Sequence, residues 1–132
     1  MRQVATHPLV MPAPGHALRT IINRAAAQAD VELDIAAQTN SMSLQKELVL
    51  SGHGWTVLPG AGVTADIAEG ALSGAPLSDP EVWRSIAVGT ARSGRITPAA
   101  QAVSDELLRQ IRAAVRQNRW PSAQLLDTDT GD

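Results

Sequence analysis

Hydroxyl and amide side chains gather at Thr39, Asn40, Ser41 and Ser43, at the start of an apolar-periodic segment. Such a cluster can cap a helix or, with unpaired backbone N–H groups, hold a carboxylate or phosphate. A serine nucleophile would need a histidine base and a strained turn, and no G-x-S-x-G elbow supplies one. His7, His16 and His53 lie far apart, and none has a second histidine or a carboxylate three or four residues on along a helix face, so metal-ligand spacing is absent. His16 stands apart because it opens the first strong helix, where it is either a cap or a ligand contact. Gly60-Ala61-Gly62-Val63-Thr64-Ala65 fits G-x-G-x-x-A, with Asp79 downstream as a ribose-binding acid. Pro59 interrupts the entry, however, and the following helix is over by Gly70, so a plain glycine turn is the better reading. Asp66 with Glu69, and Asp105 with Glu106, read as solvated helix faces rather than acid/base pairs. The chain has no cysteine, which excludes a thiolate nucleophile, a thiolate metal site and a disulfide framework.

The elements that must position these residues follow from periodicity. Pro8 to Met11 is a short apolar run stopped by Pro12 and reads as a buried strand. Leu18, Ile21, Ile22, Ala25, Ala26 and Ala29 lay one apolar stripe on a helix from about His16 to Ala29. Val31, Leu33, Ile35 and Ala37 alternate with less apolar neighbours, as in a strand with one wet face. Ser41 caps a helix carrying Leu44, Leu48 and Val49, ended by Gly52 at a left-handed position. Trp55 to Leu58 is the next strand, stopped by Pro59-Gly60, and a short helix or turn lies between Gly60 and Gly70. Ala71 to Leu77 and Arg84 to Gly89 are further strand candidates. Thr97 caps and Pro98 opens a long helix through Ala100, Val103, Leu107, Leu108, Ile111, Ala114 and Val115, with Asp105 and Arg109 one turn apart on its wet face.

Strand, helix, strand, helix, strand from Pro8 to Leu58 makes two right-handed crossovers and three parallel strands. The fold class is α/β: a mainly parallel sheet flanked by helices, plus a long C-terminal helix. The carboxyl ends of parallel strands point one way, so the loops Pro12 to His16, Gln38 to Ser41 and Pro59 to Gly62 gather on one edge, where open α/β sheets bind ligands.

At 132 residues, 44% hydrophobic and 18% charged, the chain has the composition of about one globular domain. Only 2% is aromatic, so the core is built from Leu, Ile, Val and Ala. A net charge of -2 provides no basic field for nucleic acid. Met1 to Gly15 holds only the short apolar run Pro8 to Ala13, and no apolar run nears the roughly 18 residues of a membrane span, so no signal peptide and a soluble, cytoplasmic protein are expected. Asp127 to Asp132 reads as part of a disordered acidic tail over 121–132.

Four pieces, in this order and spacing, carry a resemblance. They are Pro8-Leu9-Val10-Met11-Pro12 with His16-Ala17-Leu18-Arg19; Ser43 to Gly54 leading into Trp55-Thr56-Val57-Leu58-Pro59; Gly70-Ala71-Leu72 with Leu77-Ser78-Asp79-Pro80; and Arg84-Ser85-Ile86-Ala87-Val88 with Thr97-Pro98-Ala99-Ala100. Together they resemble the C-terminal part of the effector-sensing domain of LysR-type transcriptional regulators. The resemblance implies a periplasmic-binding-protein-like fold, truncated here to a partial effector-binding domain over residues 1–120, with a second subdomain at about 8–83 and a return strand and helix at about 84–118. It implies no enzyme and no cofactor. It implies a small anionic or carboxylate metabolite as effector, held by Ala13, Gly15 and His16 in the first loop, Thr39 and Ser41 in the second, and Pro59 and Gly60 in the third. Where family members often carry Ser and Arg, this chain has Ala13 and Pro14, so its first loop would rely on backbone N–H groups and His16. It further implies a homo-oligomer, and DNA contact only through a winged helix-turn-helix not present in this chain. The alternative is a stand-alone small α/β interaction or dimerisation protein, using an apolar face left bare by the missing subdomain.

Overall fold

The computed structural model describes residues 1–90 and 95–126; the acidic run Asp127 to Asp132 lies outside the described residues. The chain divides into two compact units, Met1–Arg84 and Ser85 onward.

In the first unit, β1 (Leu9–Met11) is buried on both faces, and Leu9, Val10 and Met11 are each fully covered. The chain then enters α1 (Ala17–Gln28), whose Leu18, Ile22, Ala25 and Ala26 are buried and join Leu9 and Met11, with Ala29, in the core. The core holds the expected Leu, Ile, Val and Ala, with Met1 and Met11 besides. Asp30, at φ +54, ends α1 in the left-handed region, with Val31 N–H donating to Ala26 O. β2 (Ile35–Gln38) pairs parallel to β1, Leu9 opposite Ile35 and Met11 opposite Gln38. It begins later than the alternation suggested, although the half-buried and exposed residues do alternate from Val31 to Gln38.

α2 (Met42–Leu50) follows, with Gly52 at φ +79 just past its end as expected. The inward residue of α2 differs from the expectation: Gln45 is buried, whereas Leu44 is exposed. Next comes Gly54, at φ +137, where an added Cβ would stand 2.3 Å from Pro8 O. Only glycine lets the chain pass this close to β1.

The third strand expected over Trp55 to Leu58 is reduced to one parallel bridge between Leu9 and Trp55. Trp55 N–H donates to Pro8 O and Val10 N–H to Trp55 O, both at 2.8 Å. Pro12, just past β1, has no N–H with which to continue the ladder on this edge. β1 is therefore central, with β2 on one side and the Trp55 bridge on the other. A single turn at Gly60–Gly62 leads to the short helix α3 (Thr64–Ala68). Residues 71–77 form no strand. Gly74 and Pro76 weaken a ladder there, and only Leu72 and Leu77 in this stretch are not exposed.

Residues 84–89 also form no strand, and the second unit has no strand to pair with them among the described residues. Thr97 Oγ1 accepts from Ala100 N–H at 3.2 Å and Pro98 opens α4 (Pro98–Arg116), as the capping pattern requires. Arg109 does not reach Asp105. It makes two hydrogen bonds to Glu106, of 2.7 and 2.6 Å, while Asp105 accepts from Gln101. The guanidinium of Arg109, with the Gln110 amide, holds the Glu106 carboxyl down to about 2.

Candidate functional site

The site expected at the carboxyl edge is built from the ends of β1, β2 and the Trp55 segment. In the first loop, His16 N–H donates to Ala13 O at 3.2 Å, closing a turn through Gly15, which is exposed at φ +88. His16 Nδ1 accepts from Leu18 N–H at 3.2 Å. His16 is thus the N-cap of α1, which puts the ring proton of the neutral form on Nε2. The Ala13 N–H donates to Asn40 Oδ1 at 3.0 Å, so the first loop is tied to the second.

In the second loop, Thr39 N–H continues the sheet by donating to Met11 O at 3.0 Å, and Thr39 Oγ1 accepts from Ser41 N–H at 3.2 Å. Ser41 Oγ caps α2 by accepting from Leu44 N–H at 3.3 Å. In the third loop, the Pro59 and Gly60 carbonyls are consumed locally, by Gly62 N–H and by Val63 N–H with the Thr64 hydroxyl. This loop meets α2 directly: a Cβ on Gly62 would lie 2.6 Å from Met42 Sδ. Lys46 and Asp66, 2.5 Å apart, join α2 to α3. The hydrogen bond and charge of the Lys46 ammonium hold the Asp66 carboxyl below its ordinary value.

The seven expected residues therefore lie on three loops linked in series: Ala13 to Thr39 and Ser41 through Asn40, and the start of α2 to the Gly60 turn through Met42 and Gly62. Sequence reasoning assigned no such linking role to Asn40, nor to Gln45, Arg19 or the Lys46–Asp66 pair. Arg19 reaches back from α1 to Pro12 O at 3.1 Å and to Asn23 Oδ1 at 2.9 Å. The signal for Gln45 was available, since positions 45, 48 and 49 fall on one helix face and Gln45 is the polar member of it.

Chemically, the edge offers donors. Two cap acceptors, His16 and Ser41, satisfy one N–H each, and the N–H groups of Ala17, Arg19, Met42 and Ser43 have no protein partner among the described residues. The three loops, 12–16, 38–43 and 59–64, contain no aspartate or glutamate. Two helix N-termini on loops without acidic residues, and one guanidinium, make an edge suited to a small anion; Asp66, in the helix after the third loop, is paired with Lys46. No group of histidines and carboxylates able to hold a metal occurs among the described residues.

The family model of the LysR substrate binding domain matches residues 1–112. This chain belongs to the LysR substrate-binding domain family. The family's fold is periplasmic-binding-protein-like and α/β, as the parallel β1–β2 pair and its helices are here. The chain is also 30% identical over 121 residues to the HTH-type transcriptional regulator BbuR of Bordetella bronchiseptica, an alignment covering 92% of this chain and 37% of BbuR. The LysR domain described here thus spans little more than a third of that relative's length. No solved structure matches the chain. Among the described residues, no helix is long and apolar enough to cross a membrane.

Proposed function

We propose that this LysR-family chain senses a small metabolite for a cytoplasmic transcriptional regulator, without catalysing a reaction, and that the metabolite carries a carboxylate. In this reading residues 1–120 are a partial effector-binding domain, with the second subdomain at about 8–83 and a returning segment and helix at about 84–118. Ala13, Gly15, His16, Thr39, Ser41, Pro59 and Gly60 line its effector-facing edge. The observation that carries the reading is the bond from Ala13 N–H to Asn40 Oδ1, which ties the loops leading into α1 and α2 at the carboxyl edge of the sheet, both loops free of acidic residues. A carboxylate placed there would accept from the N–H groups of Ala17 or Met42 and their neighbours, and the helix dipoles would favour its charge. Effector binding would shift the regulator between two arrangements of its subunits, and DNA would be met by a winged helix-turn-helix outside this chain.

Thermal unfolding with acetate, succinate, citrate and benzoate tests this. At least one should raise the midpoint in a saturable way, and the Ser41→Ala, His16→Ala double variant should lose that rise. Equal stabilisation of the variant would remove these loops from the site.

A second reading, an interaction or homo-oligomerising protein without ligand sensing, draws on α4. Its stripe includes Val103, 68% exposed, and none of its residues is buried. Self-association that buries this stripe, with no response to any carboxylate, would favour it.

A further inference from the structure

Gln45 is the one polar side chain fully buried among the described residues, at 2% exposure. A primary amide is costly in such a place unless both its ends are bonded. Both are: Nε2 donates to Thr39 O at 2.7 Å, and Oε1 accepts from the Thr56 hydroxyl at 3.4 Å. The reversed amide would press its oxygen against the Thr39 carbonyl, so this orientation is the bonded one. Thr39 is thereby fixed at three points, through its N–H to Met11, its hydroxyl to Ser41 N–H and its carbonyl to Gln45. Thr56 lies just past the one bridge that ties its segment to β1, on the way to Pro59 and Gly60. A leucine at 45 would fill the space while leaving the Thr39 carbonyl without a donor.

We infer that Gln45 is a positioning residue of the candidate effector site: its amide locks the Thr39–Ser41 loop to the Thr56–Gly60 segment, so that the two face a ligand as one wall. Gln45 itself does not touch the ligand. The inference rests on the effector reading above for its purpose, but not for its test.

The test is hydrogen exchange by NMR on the full 132-residue chain, first without ligand. In the native protein one glutamine side-chain NH2 should be protected, while exposed glutamines exchange at once. In Gln45→Met, the Ser41 and Ala13 amides should exchange about tenfold faster while the Leu9 and Val10 ladder amides change by less than about twofold. Acceleration spread evenly over the sheet, or none in the loops, would overturn the inference and leave Gln45 an ordinary core residue. Should Gln45→Met not fold, Thr56→Val removes one partner only, and the same loop and ladder amides are compared in it, with the same outcomes for and against. A parallel succinate titration separates the two claims. Loosened loops in the variant with no succinate binding by the native chain support Gln45 and count against the effector reading; equal binding by both proteins with unchanged loop amides does the reverse.

Discussion

Ser41 has two jobs that one substitution separates. As N-cap it satisfies Leu44 N–H, and Ser41→Ala should cost about 1 kcal/mol of stability in urea unfolding. Ser41→Asp, which also caps, should keep that stability while placing a negative charge where an anion is proposed to bind, so stability and anion response should part company. Gly54 is a sharper case. Gly54→Ala combines a left-handed backbone with a contact to Pro8 O of 2.3 Å that neither chain segment can relieve without breaking the Trp55 bridge. A loss of about 2 kcal/mol or more is expected, several times the ordinary cost of a surface change. A Gly54→Ala protein with native stability would mean that the Trp55 segment does not lie on β1.

At the scale of elements, α1 on β1 supplies the core, and Ile22→Ala, at a fully covered position, should cost about 2–5 kcal/mol. α2 instead is held by polar ties, at Gln45 and through Lys46 to Asp66. Because the Asp66 carboxyl is held below its ordinary 3.8, its folded form binds its proton less readily than the unfolded chain does. That contribution is fully present above the unfolded value and is lost as pH falls through the lowered one. Urea unfolding across this acid range should therefore show a shallower loss for Asp66→Asn than for the native chain.

The helices of the protein were legible because their caps and stripes are local: His16, Ser41 and Thr97 each precede an apolar rhythm and each accepts the expected N–H. The strands were less so. Pairing depends on what lies alongside, and the single missing donor of Pro12 shortens a neighbour more than 40 residues away in sequence. The loops of the candidate site were legible as a group, from the parallel order of strands. Their ties were not, because the bond of Ala13 to Asn40 spans 27 residues, and those of Gln45 to Thr39 and Thr56, nearer in sequence, follow no spacing rule of helix or strand.

For the molecule as a whole, membership of the LysR substrate-binding domain family rests on a match from residue 1 to 112, whereas the proposed sensing role rests on the physics of one sheet edge. A net charge of -2 lacks the basic field of a nucleic-acid surface. The measurement that tests this account most directly is amide chemical-shift mapping of the isotope-labelled chain, titrated with the same four carboxylates. The account predicts saturable shifts concentrated at Ala17, Arg19, Met42, Ser43 and Gly60 for at least one of them. Shifts confined to α4, or none that saturate anywhere, would contradict it.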